Sequence, residues 1–119
     1  PIYNSGEGAA KNKQKELEFI KAKNELVNIE NQIISLFALL KNNYKNALSS
    51  YSDQKTKVDL VEKVYFNEEK KLSHGASNSL TISQRKMQLL QTKQALIQKE
   101  YELYKSEVQL KTHTNPIQL

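Results

Sequence analysis

Apolar residues recur along this chain in alternating steps of three and four. From Leu26 the run is Leu26, Ile29, Ile33, Leu36, Leu40, Tyr44, Ala47 and Tyr51, then Gln54 as a polar break, then Val58, Val61, Tyr65 and Leu72. Steps of that kind keep side chains on one face of a helix, and a seam sustained for roughly six heptads predicts a coiled coil. No Gly or Pro falls between Gly8 and Gly75. One long helix is therefore expected over residues 8–73, roughly 100 Å long at 1.5 Å per residue.

The pattern breaks at Leu72-Ser73-His74-Gly75-Ala76-Ser77-Asn78-Ser79-Leu80, where small and polar residues cluster. Gly75 enters left-handed backbone conformations without steric cost, so the first helix is expected to stop near Ser73. Asn78 or Ser79 can cap the free N–H groups of a second helix. The expected product is an all-α antiparallel helical hairpin of unequal arms, with residues 74–79 as its tip and a return helix over 80–112. Thr114-Asn115-Pro116 ends that helix, leaving 113–119 as a terminal extension.

Two apolar stripes run along the return arm. One follows Leu80, Ser83, Met87, Leu90, Gln94, Ile97, Tyr101, Tyr104 and Val108; the other recurs every seven residues at Ile82, Leu89, Leu96, Leu103 and Leu110. Together they make an apolar face too wide for a single partner helix, so this arm is expected to touch helices on two sides. The arm is also too short to cover the long helix. Leu17, Ile20, Val27, Ile33, Ile34, Phe37 and Leu40 are expected to lack a partner within the chain. Burying each such side chain is worth roughly 1.5–3 kcal/mol, which implies further helices from elsewhere.

Composition agrees with stripes rather than a filled interior. The 119 residues include 3 Gly, 2 Pro and no Trp or Cys, and the mean hydropathy is -0.70. Without Cys there is neither a disulfide framework nor a thiolate metal site. No apolar run approaches the roughly 20 residues that span a bilayer as a helix. The opening, Pro1 without a Met, reads as a processed or excised piece. A net charge of +5 would suit a polyanion, but lysines alternate with acidic residues along both arms, and Arg85-Lys86 is the nearest approach to a basic run. A phosphate-binding footprint requires clustering on one face, so no nucleic-acid partner is expected.

Candidate chemistry is sparse. His74 and His113 lie at opposite ends of the return arm and cannot share a metal within one chain. Glu68, Glu69 and Glu100 sit on helical faces with lysines nearby, and ion pairs account for them. Neither a phosphate loop nor a Ser/His/Asp set is present, so no enzyme activity, cofactor or metal is expected. The tyrosines at 44, 51, 65, 101 and 104 have the spacing of packing residues rather than of a base-stacking platform.

Residues 1–7 do not read as helix: Pro1-Ile2-Tyr3-Asn4-Ser5-Gly6 suggests the end of an extended strand followed by a turn. That opening resembles the Pro-apolar-aromatic-x-Gly-Gly segment of TolC-like outer-membrane channel proteins of drug efflux and type I secretion, with Ser5 in place of one glycine. The tip is similar to the family's Tyr-x-x-Gly-x-x-(Ser/Thr) turn, and Leu89, Leu96, Tyr101 and Leu110 fall where its returning helix carries Leu, Leu, Tyr and Leu. The resemblance covers nearly the whole chain without a gap.

The resemblance implies a role. In such proteins three protomers build an outer-membrane β-barrel and a periplasmic α-barrel, and each protomer carries two repeats that pair a long helix with shorter ones. This chain would be the hairpin of the second repeat, located in the periplasm beneath the outer membrane and part of a homotrimer. Its tip residues His74, Gly75, Ala76, Ser77 and Asn78 would face a periplasmic adaptor (membrane fusion) protein, which links the channel to an inner-membrane pump. Well-known members gate the entrance with a Tyr before the tip, an Arg after the tip Gly and two acidic residues on the return helix. The matching positions here are Leu72, Ser77, Thr81 and Gln84, none of which forms such ion pairs, so closure would rest on packing and neutral hydrogen bonds of about 1 kcal/mol each.

Two other readings stand beside it. The hairpin of a periplasmic adaptor is disfavoured by the unequal arms, and a basic coiled-coil module for nucleic acid or an anionic surface by the dispersed charge. The isolated chain is expected to self-associate, as an antiparallel pair with each short helix beside the other's long one; the competitor is a monomer folding back near Lys41-Asn42-Asn43 into three shorter helices, at a spot that lacks Gly and Pro.

Overall fold

The computed structural model describes residues 2–114, with side chains from 6 to 113. Two helices account for them: α1, Ile2–Ser73 (72 residues), and α2, Ser79–Thr114 (36 residues). No strand occurs among the described residues. The chain divides into two compact units, Pro1–Ala38 and Leu39–Leu119.

In the first unit every described side chain from Gly6 to Ala38 is exposed. Leu17, Ile20, Val27, Ile33, Ile34 and Phe37 are among them, as expected of residues with no partner in the chain. Here α1 begins at Ile2 rather than near Gly8, so residues 2–7 are helical and not extended. The turn preference of Asn4-Ser5-Gly6 is overridden here by a helix that satisfies the backbone groups locally. Gly6 and Gly8 cost such a helix some stability without blocking it, since neither has a neighbouring group within 4 Å.

The second unit is an antiparallel helix pair. Tyr44 lies near Lys111, Gln54 opposite Thr92 and Glu68 beside Ser77, so partners fall earlier in the returning chain as α1 ascends. On α1 the buried or half-buried positions are Leu40, Tyr44, Ala47, Ser50, Tyr51, Gln54, Val58, Val61, Glu62, Tyr65 and Glu68. Apart from Ser50 and Glu62 they keep the alternating step of three and four, as the sequence predicts. The seam ends at Glu68, and Leu72 is 39% exposed. Leu40 departs from expectation, because at 8% exposure it is buried. The antiparallel register brings Leu110 level with it, one turn before α2 ends.

On α2 the covered face is the sevenfold stripe of Ile82, Leu89, Leu96, Leu103 and Leu110, interleaved with Thr92, Lys99 and Ser106. Large residues on one helix meet small or flexible ones on the other: the register places Tyr44 level with Ser106 and Ala47 level with Leu103. Alternation of that kind lets two helices interdigitate without voids.

Candidate functional site

The tip is built by two interlocking caps. Gly75 has φ 73°, and its N–H donates to the Leu72 carbonyl at 3.0 Å while the Ala76 N–H donates to the Lys71 carbonyl at 2.8 Å. That pair of bonds is the Schellman motif, which satisfies carbonyls left over at a helix end and requires a left-handed residue at the position Gly75 fills. Lys70 and Lys71 lie in the same last turn, where positive charge complements the helix dipole.

Three residues after Gly75 the Asn78 side chain caps α2. Its Oδ1 accepts from the Thr81 N–H at 2.8 Å and from the Thr81 hydroxyl at 3.0 Å, and its carbonyl accepts the first helical bond, from the Ile82 N–H. Between the caps the Ser77 hydroxyl donates to Glu68 Oε1 at 2.8 Å. Glu68 also faces Lys71 at 3.7 Å. The turn is thereby tied back onto the last two turns of α1.

The five tip positions His74, Gly75, Ala76, Ser77 and Asn78 thus form one short turn, exposed except for half-buried Ser77. Of the four gate-matching positions, Ser77 and Thr81 are engaged in holding the turn, whereas Leu72 and Gln84 are exposed. The ion pair with a nearby lysine that the sequence predicts for Glu68 is supplied by Lys71, but its bond to Ser77 escaped that reading. Its signal was the continuing step of three from Tyr65, which places a carboxylate on the seam face just before the turn.

Two features flank the seam below the tip. Gln54 Nε2 donates to the Thr92 carbonyl at 3.1 Å, across the helices, and the Thr92 hydroxyl donates to the Gln88 carbonyl. A polar layer thus interrupts the apolar seam with its groups satisfied. Shallow open grooves run beside it, one lined by Gln54, Lys57, Gln91 and Ala95, the other by Leu60, Val61, Val64 and Arg85. Among the described residues no group of three His, Cys, Asp or Glu could hold a metal ion, and no helix is long and apolar enough to cross a membrane.

In the second unit the most extensive uncovered apolar feature is the other face of α2. Leu80 (68%), Met87 (63%), Leu90, Ile97 (66%), Tyr101, Tyr104 and Val108 are all exposed. At about 100° per residue this stripe and the one packed on α1 are centred roughly 160° apart on the helix. Tyr44, Tyr51 and Tyr65 are half-buried in the seam, whereas Tyr101 and Tyr104 lie on the open stripe.

Comparison with protein families, with curated proteins and with solved structures finds no match. The likeness to TolC-like channels therefore rests on the residues named above.

Proposed function

We propose that this chain is the periplasmic hairpin of the second repeat of a TolC-like outer-membrane channel, a coiled-coil segment of a helical tunnel that serves as a passive conduit in efflux or type I secretion. The observation that carries this reading is the pair of apolar stripes on nearly opposite faces of α2. A helix in a closed ring has a neighbour on either side, whereas a helix in a free-standing hairpin has one. Here α1 supplies one neighbour through the second unit, and the stripe from Leu80 to Val108 remains for the other.

In this reading the turn from His74 to Asn78 meets the adaptor, and its caps matter because docking onto a preformed turn costs less ordering entropy than docking onto a mobile one. Leu72, Ser77, Thr81 and Gln84 supply no charge at the entrance, and two of them are held within the turn. Opening would then need no ion pairs broken and little dependence on salt.

The test is to recover the polypeptide carrying this sequence from its native cells by antibody, fractionate the membranes and cross-link it. The expected result is an outer-membrane trimer that captures an adaptor protein through a cysteine placed by His74→Cys, which leaves the Asn78 cap intact. Recovery in the cytosolic fraction, or as a species other than a trimer, contradicts the proposal.

A further inference from the structure

The open stripe of α2 carries its own instructions for a partner, and we infer that in the 119-residue chain by itself the partner is a second copy, bound antiparallel, α2 against α2. This inference stands apart from the tunnel reading, in which the same stripe would face a different helix. The positions from Leu80 to Val108 alternate steps of three and four without a slip, the spacing of a two-helix seam. What selects the partner is the charge beside them.

The residues immediately before Met87, Gln94, Tyr101 and Val108 are Lys86, Lys93, Glu100 and Glu107: two positive, then two negative. In an antiparallel helix pair these flanking positions face their own equivalents, running in the opposite direction. The register that sets Leu90 against Tyr101 of the second copy, and Met87 against Tyr104 of the second copy, also sets Lys86 against Glu107 and Lys93 against Glu100. Two-fold symmetry repeats both, giving four complementary pairs. A slip of one heptad either way sets Lys93 against Lys93, or Glu100 against Glu100.

The other flank, Gln84, Gln91, Gln98 and Lys105, sets no like charges together in that register. A parallel pair does worse. It sets Lys86 and Lys93 against Gln91 and Gln98, leaving only Glu100 with Lys105, and it stacks Gln94 on Gln94. Charges at these flanking positions are what fix orientation and register in paired helices.

Existing contacts leave the charges available. Lys93 reaches Glu62 only at 3.9 Å and is 48% exposed, and Glu107 with Lys111 is a solvent-exposed pair. Such pairs do little to hold their members in place. The open stripes of both copies would bury on the order of 1,000 Å², the threshold for a specific interface, so the dimer is expected to be weak and concentration-dependent.

Sedimentation across a dilution series tests this with two charge variants. Lys86→Glu/Lys93→Glu makes the whole flank negative, and Glu100→Lys/Glu107→Lys makes it positive. Each alone should dissociate at least about tenfold more readily than the parent chain, and an equal mixture should pair as tightly as the parent or tighter. Recovery in the mixture separates lost recognition from lost folding.

The chain has no Cys, so disulfides report the geometry directly. Leu90→Cys mixed with Tyr101→Cys should cross-link, while Leu80→Cys alone should not. A chain that stays monomeric throughout, variants that associate like the parent, a Leu80→Cys homodimer, or cross-linking of Ile97→Cys to Ile33→Cys would each overturn the inference.

Discussion

The two stretches of α1 have the same apolar grammar and opposite fates. Leu26, Ile29, Ile33 and Leu36 continue the same steps as Leu40, Tyr44, Ala47 and Tyr51, yet the first four are exposed and the second four are buried or half-buried. Nothing in local propensity distinguishes them. The second four belong to the unit that contains α2, and the first four do not. Periodicity reports that a face is built for a partner, and not which helix supplies one.

The sharpest way to break this comparison is truncation of equivalent side chains on each side of Leu40. Val58→Ala and Leu89→Ala remove side chains at 7% and 8% exposure. Each should lower unfolding free energy by about 2 kcal/mol, the low end for core truncations because the seam has only two walls. Ile33→Ala at 61% exposure should change it by less than about 0.5 kcal/mol. Urea denaturation of a dilute sample measures all three, and equal losses would end the distinction.

Next come the caps that bring α2 back onto α1. Gly75→Ala forces an alanine to a φ of 73° and should cost about 1 kcal/mol. Asn78→Ala deletes the acceptor for the Thr81 N–H and hydroxyl and should cost a similar amount, about 1 kcal/mol. Because the caps and the seam act through the same helix pair, neither change should alter the first unit. Thermal unfolding followed by far-ultraviolet circular dichroism checks both.

Much of this architecture was legible because it is dictated locally. Only Gly75 could end α1 there without strain, and only a capping side chain such as Asn78 could restart a helix so soon, so the boundaries at Ser73 and Ser79 follow from single residues. The seam from Leu40 to Tyr65 follows from spacing. What could not be read was which stripe of α2 faces α1. One alternates steps of three and four and the other recurs only every seven residues, yet the sevenfold stripe is the one that faces α1. The choice depends on pairing Tyr44 and Tyr51 with small or flexible residues, which becomes visible only once the register is known. The helical start at Ile2 was hidden because Asn4-Ser5-Gly6 signals a turn, a preference that the helix overrides.

A smaller effect concerns alkaline pH. The Tyr65 phenol is held above its ordinary value by its hydrogen bond to Glu69, then by burial and the charge of Glu69. Lys111 is likewise raised, chiefly by its hydrogen bond to Glu107. Upward shifts contribute stability that is complete below the unfolded pKa, about 10 for both groups, and lost as pH rises through the folded value. Between pH 7 and 9 these groups should leave the unfolding midpoint unchanged, and above about pH 10 it should fall. Tyr65→Phe should lessen that fall, and an unchanged pH profile would exclude the phenol as its source.

The most direct measurement is hydrogen exchange by mass spectrometry on the dilute chain, resolved along α1. A helix without packing is marginal in water and opens readily. The account predicts slow exchange for the amides between Leu40 and Glu68 and for those between Ile82 and Leu110, with fast exchange from Gly6 to Leu36. Uniform slow exchange along the whole of α1, in a sample shown to be monomeric, would contradict it.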